Sequence, residues 1–351
     1  MPLSFQAAHS SELTFGAGKK YIGARRSLMN IAVVGLAYSH PYTYTQILQR
    51  TGHTITHVWD DVPDRLKEFS EKFGVPVVSS PGEVPADEID GVICTHRLPE
   101  RIDDAVMFLE NGVPTYTSKP AATSLDHLEK ITSAVRRTGT PWFSTSVLRY
   151  APAVLGLKSY LDKGKAGTLI QVRATSCHYI SHYMQEPGIW QDDPERGGGS
   201  IINMGIHGLE MLSVLVGPRI RRVWCQAGKR FHKESLSEDA AVIGLEWEDG
   251  LPGMIEVPCG VKGESFGVEV FGREAILKFS IPKADIQEAS GAALGDADPW
   301  VEFGYAGTMA ALVEMCRTRT MPVPLEETER LAKVLIAARE SARTGGPVEV
   351  V

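Results

Sequence analysis

Short apolar segments alternate with amphipathic helical segments between residues 30 and 138, and this alternation limits the folds open to the chain. Apolar runs occur at residues 30–35, 54–59, 91–95 and 113–117, and apolar residues at helical spacing follow each run. Strands separated by helices of this length predict βαβ units with right-handed crossovers. We therefore expect an α/β fold with a doubly wound parallel sheet in this half of the chain.

A different pattern begins after residue 148. A helix is expected over residues 152–163, and a glycine-rich turn at residues 197–199 opens another. A series of strands without intervening helices then covers residues 220–228, 240–247, 253–259, 266–271 and 275–280. This pattern predicts an α+β domain with a large, mostly antiparallel open sheet, followed by two C-terminal helices. The expected domains are residues 29–148 and 149–351.

Composition excludes several classes of function. The 351 residues exceed the usual size of one core, which agrees with two domains. The net charge of −7 and the lack of a basic stripe argue against a nucleic-acid partner. No apolar run reaches the roughly 18 residues that a membrane-spanning helix needs. The five cysteines form no CxxC pair, which favours a reducing compartment, so a cytoplasmic protein is expected.

The first 28 residues show neither strand nor helix periodicity, and they contain more basic than acidic side chains. They lack the apolar segment of a secretory signal. We expect a disordered arm here, or a chain whose true start is Met29.

The turn after the first apolar run is a candidate dinucleotide site. In a parallel sheet this turn approaches a pyrophosphate through the fingerprint G-x-G-x-x-G, and a helix N-terminus follows it. Only the first glycine of the fingerprint is present, and a strand–helix turn without ligand explains the motif equally well. The candidate cofactor residues of the turn are Gly35, Ala37, Tyr38, Ser39 and His40.

Asp60 strengthens the dinucleotide interpretation. It ends the second predicted strand, roughly 20 residues beyond the turn, where a carboxylate binds the adenosine ribose hydroxyls. Asp61 follows, and no arginine is adjacent to neutralise a 2′-phosphate, so NAD is expected rather than NADP. The alternative is that Asp60 or Asp61 caps the helix that begins near Pro63.

Four segments together resemble one family of oxidoreductases. Residues 116–124 (YTSKPAATS) are similar to its E-K-P segment, with Ser118 in place of Glu, and residues 197–210 (GGGSIINMGIHGLE) are similar to its G-G-G…D-x-G-x-H-x-x-D segment. Residues 90–95 and 148–152 also fit the family's pattern. The chain thus resembles the glucose–fructose oxidoreductase/inositol dehydrogenase/rhizopine catabolism (Gfo/Idh/MocA) family from about residue 29 to its C-terminus, and a Rossmann domain is implied.

The resemblance implies catalytic roles for three residues. Lys119 and His207 would flank the reacting carbon, with His207 as general base and Lys119 stabilising the developing charge on oxygen. Asn203 stands where the family has Asp, and on a regular helix it would share a face with His207. With Ser118 and Asn203, the expected site lacks two carboxylates that the family has. Three consequences remain possible: a different substrate, a different pH dependence or loss of catalysis.

Other candidates follow from position along the chain. For the cofactor, the further candidates are Thr95, His96, Lys119 and Pro120. For the substrate, they are Arg149, Tyr150, His178, His182, Trp190 and Asn203. A three-histidine metal site of His178, His182 and His207 is conceivable, but no metal is expected because no acidic partner is fixed nearby.

The expected function is hydride transfer between a nicotinamide cofactor, NAD, and a hydroxyl of a sugar, cyclitol or related polyol. NAD-assisted glycoside cleavage is an alternative, with His178, His182 or Tyr183 as the extra base. A non-catalytic sensor that binds NAD and sugar is another. Residues 241–247 carry apolar side chains that we expect on both faces of a strand. This predicts a homodimer or homotetramer formed through the C-terminal sheet.

Overall fold

The computed structural model describes residues 28–180, 190–281 and 299–351. The predicted N-terminal arm therefore lies outside the described residues, except for Leu28. The first sheet has five parallel strands in the order β2-β1-β3-β4-β5. Its strands are β1 (Asn30–Val34), β2 (Thr54–Trp59), β3 (Gly91–Cys94), β4 (Thr115–Ser118) and β5 (Trp142–Thr145). Within these described ranges no helix is long and apolar enough to cross a membrane.

Four helices connect these strands and confirm the doubly wound prediction. They are α1 (His40–Arg50), α2 (Pro63–Phe73), α3 (Glu100–Glu110) and α4 (Leu125–Thr138). Local sequence sets their ends: Ser124 caps α4 by accepting a hydrogen bond from the backbone N–H of His127. Gly74 and Gly139 end α2 and α4 in the left-handed conformation that glycine adopts without strain. Strand β5 was not predicted, because its four residues carry too little periodicity to identify.

The second sheet has seven strands in the order β11-β10-β6-β9-β8-β7-β12. Its strands are β6 (Leu169–His178), β7 (Ile220–Gly228), β8 (Ala240–Trp247), β9 (Pro252–Pro258), β10 (Glu264–Gly272), β11 (Ile276–Ile281) and β12 (Val348–Glu349). Neighbouring strands are antiparallel except β6 and β9, which are parallel. The expected large, mostly antiparallel sheet is confirmed, and β12 is an edge strand that the sequence did not indicate.

The second half has five described α-helices, two of which pack on one face of this sheet. They are α5 (Pro152–Asp162), α6 (Gly205–Val216), α7 (Pro299–Glu302), α8 (Tyr305–Thr318) and α9 (Leu325–Thr344). Along β8, Ala241, Ile243, Leu245 and Trp247 are buried on the helix-covered face. On the opposite face Val242 is exposed and Glu246 pairs with arginines of β7. On the open face the expectation of apolar side chains is met by Val242 alone among residues 241–247, because Gly244 and Glu246 occupy the other two positions.

Helix α8 returns to the first domain although it follows the second sheet in sequence. Met309 and Leu312 belong to the same buried cluster as Ile31 of β1. A side chain at Gly91 would meet Cys316, because a Cβ there would lie 2.4 Å from the Cys316 sulfur. Residues that we predicted to belong to the second domain thus complete the core of the first domain, on the side of the sheet that carries α1 and α2.

Replacing Leu312 by Ala tests this packing. Leu312 is fully buried, so the cavity should lower the free energy of unfolding by about 2–5 kcal/mol. Leu155→Ala on α5, where the leucine is 47% exposed, is the matched control and should change it by less than about 1 kcal/mol. Urea denaturation measures both, and equal effects would contradict the assigned packing.

Candidate active site

The turn between β1 and α1 is built for close approach of a ligand. Gly35 has φ +88°, and a Cβ there would lie 2.2 Å from the backbone nitrogen of His96. The hydroxyl of Thr95 donates to the carbonyl of Gly35 and ties the turn to the end of β3. No side chain caps α1; Pro41 has no N–H and that of Tyr42 donates to the carbonyl of Ser39, so the N–H groups of Ser39 and His40 are the ones that face an anion here. Position 35 therefore requires glycine for steric reasons. Ala37, two residues later, is small and buried.

The two carboxylates after β2 have different surroundings. Asp60 is buried and accepts hydrogen bonds from the backbone N–H of Leu36 (2.5 Å) and of Val62 (2.9 Å). Asp61 has a side chain that is 30% exposed, and it contacts Arg97. Asp60 therefore fixes the shape of the cofactor turn, and Asp61 is the more accessible of the two carboxylates.

The sequence expectation that no arginine lies beside these carboxylates is wrong. Arg65 lies 2.8 Å from Asp60 and 3.2 Å from Asp61, and Arg97 pairs with Asp61. Arg65 lies one helical turn after Asp61, and Arg97 reaches it from the loop that follows β3. Neither arginine is adjacent to the carboxylates in the chain, and the fold brings both cations to them.

His96 is buried in the loop that follows β3. Its Nδ1 lies 3.1 Å from the Asp104 carboxylate, and its ring packs edge-on against Trp59 at a centroid distance of 5.1 Å. Tyr38 projects from the cofactor turn, and its hydroxyl accepts from the guanidinium of Arg101 at 3.1 Å. Arg101 also donates to the carbonyl of Pro120 at 2.6 Å. Arg101 therefore joins the cofactor turn to the segment that carries Lys119.

Lys119 and Asn203 are in direct contact. The Lys119 ammonium lies 2.9 Å from the side-chain oxygen of Asn203 and 2.9 Å from its backbone oxygen. Asn203 lies in a π-helical turn, Ser200–Met204, that precedes α6, rather than in the regular helix that was predicted. Gly199 permits this turn, since a Cβ there would lie 2.7 Å from the carboxylate of Glu238. π-Helical turns of this kind are frequent at functional sites.

His207 is held by the first domain. Its Nδ1 lies 2.6 Å from the hydroxyl of Ser146, at the end of β5. Glu210, one helical turn later, accepts from the backbone N–H of Ser146 at 3.0 Å and from the hydroxyl of Thr145. The ring of Phe266 packs against His207 at 5.2 Å. With Nδ1 bound to Ser146, the Nε2 atom remains as the ring nitrogen for another partner.

Arg149 and Tyr150 lie beside this contact. The Arg149 guanidinium is bound to Glu210 at 2.8 Å and to Glu327 of α9, and its side chain is 12% exposed. Both of its ion pairs are internal, so Arg149 joins α6 to α9. The hydroxyl of Tyr150 is buried and forms no hydrogen bond within the described residues.

The remaining substrate candidates are placed in part. The ring of His178 lies 6.4 Å from that of Phe266, and its Nε2 lies 3.6 Å from the Glu264 carboxylate. The ring centroid of Trp190 lies 6.2 Å from that of Tyr38. His182 and Tyr183 lie outside the described residues. In the part of the chain that the structure describes, no three His, Cys, Asp or Glu side chains are grouped as metal ligands.

Burial and like charge act together on the pKa values here. Burial, followed by the charge of Arg101, lowers the pKa of Lys119 to about 7. Burial is also the main cause that lowers the pKa of His207 well below its ordinary value, and the charge of Lys119 adds to it. Burial, followed by the charge of Lys119, likewise lowers the pKa of His40 to about 3. Lys119 is therefore the group of the site that titrates near neutral pH.

Sequence reasoning missed Ser146, Arg101 and Glu238. Glu238 lies in the loop before β8 and accepts from the backbone N–H of Ile201 at 2.7 Å, which fixes the start of the π-helical turn. Ser146 lies 61 residues from its partner His207, and Arg101 lies 19 residues from its partner Pro120. No local motif marks them, and Glu210 alone carried a signal through its spacing from His207.

Comparisons with known proteins agree with this architecture. The family model described as "Oxidoreductase family, NAD-binding Rossmann fold" matches residues 29–145, and the GFO/IDH/MocA C-terminal domain matches residues 154–278. The trans-1,2-dihydrobenzene-1,2-diol dehydrogenase of Bos taurus is 24% identical over 332 residues, which cover 89% of this chain and 95% of that protein. Inositol 2-dehydrogenase 2 of Saccharopolyspora erythraea is 25% identical, over 70% of each chain.

Solved structures share the fold over nearly the whole chain. GenD2 from gentamicin A biosynthesis, in complex with NAD, superposes with a TM-score of 0.83 at 20% identity, covering 95% of this chain and 100% of that one. Levoglucosan dehydrogenase in complex with NADH superposes with a TM-score of 0.80 at 17% identity, covering 93% of this chain and 100% of that one. The two matched family models, over residues 29–145 and 154–278, make the chain a member of the Gfo/Idh/MocA oxidoreductase family, with an NAD(P)-binding Rossmann domain.

Proposed function

We propose that the protein is an NAD-dependent dehydrogenase that oxidises a hydroxyl group of a sugar, cyclitol or related polyol, or reduces the corresponding carbonyl. The convergence of Lys119 and His207 from two domains carries this proposal. Asn203 holds the lysine at 2.9 Å and Ser146 holds the histidine at 2.6 Å. Relatives named as diol and inositol dehydrogenases support a substrate with neighbouring hydroxyl groups.

The residues present fit a dinucleotide. The close approach at Gly35, the uncapped start of α1 and the Asp60 bond to Leu36 give a turn whose backbone can contact a pyrophosphate. Bound NAD would supply the two-electron acceptor for the hydrogen on the reacting carbon. The protein's own task is then to orient the hydroxyl group and to take its proton.

The pKa directions favour Lys119 as the proton acceptor. A base works best when its pKa lies near the working pH, and the pKa of Lys119 is about 7. His207 stays neutral at that pH, because its pKa lies well below the ordinary value, so it can hydrogen-bond the same hydroxyl through Nε2. Only neutral Lys119 accepts a proton, so kcat/KM for oxidation rises as the pH increases through about 7.

Lys119→Ala is the first test of this function. We expect kcat/KM for polyol oxidation to fall by roughly 10²–10⁴-fold, because the variant lacks the proton acceptor. NADH formation is followed by absorbance over a panel of sugars, cyclitols and other polyols. Lys130→Ala is the matched control, since that lysine lies on α4 and its side chain is 53% exposed.

The same panel separates the alternatives. Glycoside cleavage without net NADH formation would replace the dehydrogenase proposal by redox-assisted hydrolysis. Binding of NAD and sugar without any turnover would indicate a sensor. Equal activity of Lys119→Ala and the wild type would remove Lys119 from the mechanism.

We further propose NAD rather than NADP as the cofactor, because Asp60 and Asp61 would repel a 2′-phosphate. Arg65 and Arg97 are already paired with these carboxylates. Asp61→Ser should free Arg97 and raise the ratio of kcat/KM with NADP to that with NAD by about 10-fold or more. Asp64→Ser, at an exposed position in the first turn of α2, is the control. A wild type that prefers NADP would contradict the proposal.

The open face of the second sheet is proposed to bind a second copy in a homodimer or homotetramer. Trp224 is 41% exposed and Val242 is 39% exposed on this face, although no described helix covers them. Trp224→Glu should therefore lower the molar mass measured by light scattering to that of a smaller species. Leu155→Glu, at an exposed site on α5, should leave it unchanged. A monomeric wild type would overturn the proposal.

A further inference from the structure

The side chain of Ser146 makes two hydrogen bonds, and their donors can be told apart. The backbone N–H of Leu148 donates to the Ser146 oxygen at 3.2 Å and so caps the 3₁₀-helical turn Val147–Tyr150. The second bond joins the same oxygen to Nδ1 of His207 at 2.6 Å. Because a backbone N–H can only donate, the bond to His207 is the one that can use the proton of the hydroxyl group.

Burial decides the direction of the bond between Ser146 and His207. Ser146 is fully buried. If Nδ1 of His207 donated, the serine oxygen would accept two hydrogen bonds, and its own proton would have no acceptor among the described residues. Glu210 does not take that proton, since its carboxylate is bound to the backbone N–H of Ser146 and to two other side chains. A buried donor without a partner is costly, so the hydroxyl group donates to Nδ1.

The direction of this bond places the ring proton of His207. Burial and the charge of Lys119 lower the pKa of His207 well below its ordinary value, so the ring holds a single proton near neutral pH. With Nδ1 as the acceptor, that proton lies on Nε2. The ring of Phe266 packs edge-on against His207 and restricts its rotation. Nε2, the ring nitrogen left for another partner, is therefore a hydrogen-bond donor.

Lys119 shows the complementary arrangement. Its amine lies 2.9 Å from the side-chain oxygen of Asn203 and 2.9 Å from the backbone oxygen of the same residue. Both oxygens are acceptors, so they use two N–H groups of the amine. In the neutral amine the remaining tetrahedral position is the lone pair, which is an acceptor. Lys119 and His207 therefore offer a bound hydroxyl group one acceptor and one donor.

We propose that Ser146 is a positioning residue that holds His207 as its Nε2–H tautomer, so that His207 donates a hydrogen bond to the reacting oxygen and is not the base. The inference rests on the proposed function and assigns a role to each group in it. The proton of the hydroxyl group passes to neutral Lys119, which becomes an ammonium, and the hydrogen of the reacting carbon leaves with its two electrons to bound NAD. The C–O bond becomes a carbonyl, and the Nε2–H group stabilises the negative charge that develops on its oxygen. His207 keeps its proton throughout.

Nuclear magnetic resonance of the full chain with NAD, isotope-labelled in its histidine nitrogens, measures the tautomer directly. The signals of His207 are identified by their absence from the spectrum of His207→Gln. Near neutral pH we expect the shift of an unprotonated nitrogen for Nδ1 and that of a protonated nitrogen for Nε2. The reverse pattern, or two protonated nitrogens, overturns the inference. The spectrum requires no turnover, so it decides the tautomer whether or not a polyol is oxidised.

Two substitutions of His207 distinguish a donor from a base. The amide of glutamine can donate a hydrogen bond but is not a base, whereas leucine is neither. We expect kcat for polyol oxidation to be higher in His207→Gln than in His207→Leu by about 10-fold or more. Equal losses in the two variants overturn the donor role. A wild type that oxidises no polyol contradicts the proposed function, and the spectra still decide the tautomer.

Ser146→Ala tests the positioning role. Without the hydroxyl group we expect kcat to fall by about 10-fold or more with KM for NAD little changed, and the His207 signals to move toward the form protonated on Nδ1. Ser146→Thr keeps a hydroxyl group and should restore both readouts. Ser124→Ala, which removes the same kind of cap from α4, is the matched control and should change neither. Unchanged His207 signals and kcat in Ser146→Ala would remove Ser146 from this role.

Discussion

The buried carboxylate of Glu210 determines how the two domains meet. It accepts a hydrogen bond from the backbone of Ser146 at the end of β5 and an ion pair from Arg149. Arg149 in turn reaches Glu327 of α9. Removing one partner would leave a charge buried without compensation, which is among the most destabilising changes a core can undergo. Glu210 and Arg149 therefore join α6 to the end of β5 and to α9, and the hydrogen bond from Ser146 brings His207 toward Lys119.

The chemistry at the junction follows from this burial. Lys119 is withdrawn from water and lies near Arg101, so its pKa falls to about 7. The same burial keeps His207 neutral. One site thus holds a lysine that can exchange a proton near neutral pH and a histidine that can only hydrogen-bond. The two carboxylates absent at Ser118 and Asn203 strengthen this effect, since either would hold Lys119 in its charged form.

The turn between β1 and α1 depends on a single glycine of the dinucleotide fingerprint. The sequence has one glycine of the three in the fingerprint, yet Gly35 is the position where the backbone of His96 leaves no room for a side chain. Asp60 then braces the turn through the N–H of Leu36. The carboxylate was expected to bind ribose, and its buried contacts assign it a structural task as well.

The sequence by itself determined most strand and helix limits, because periodicity and turn residues act locally. The resemblance of its motifs to the family made Lys119 and His207 candidates. Tertiary structure alone decided which charges meet. Arg65 and Arg97 reach Asp61, Arg101 reaches the carbonyl of Pro120, and α8 completes the first domain's core. These contacts join residues that are distant in the chain or lack a motif, and the energy of a charge depends on its neighbours in space, which a linear pattern does not contain.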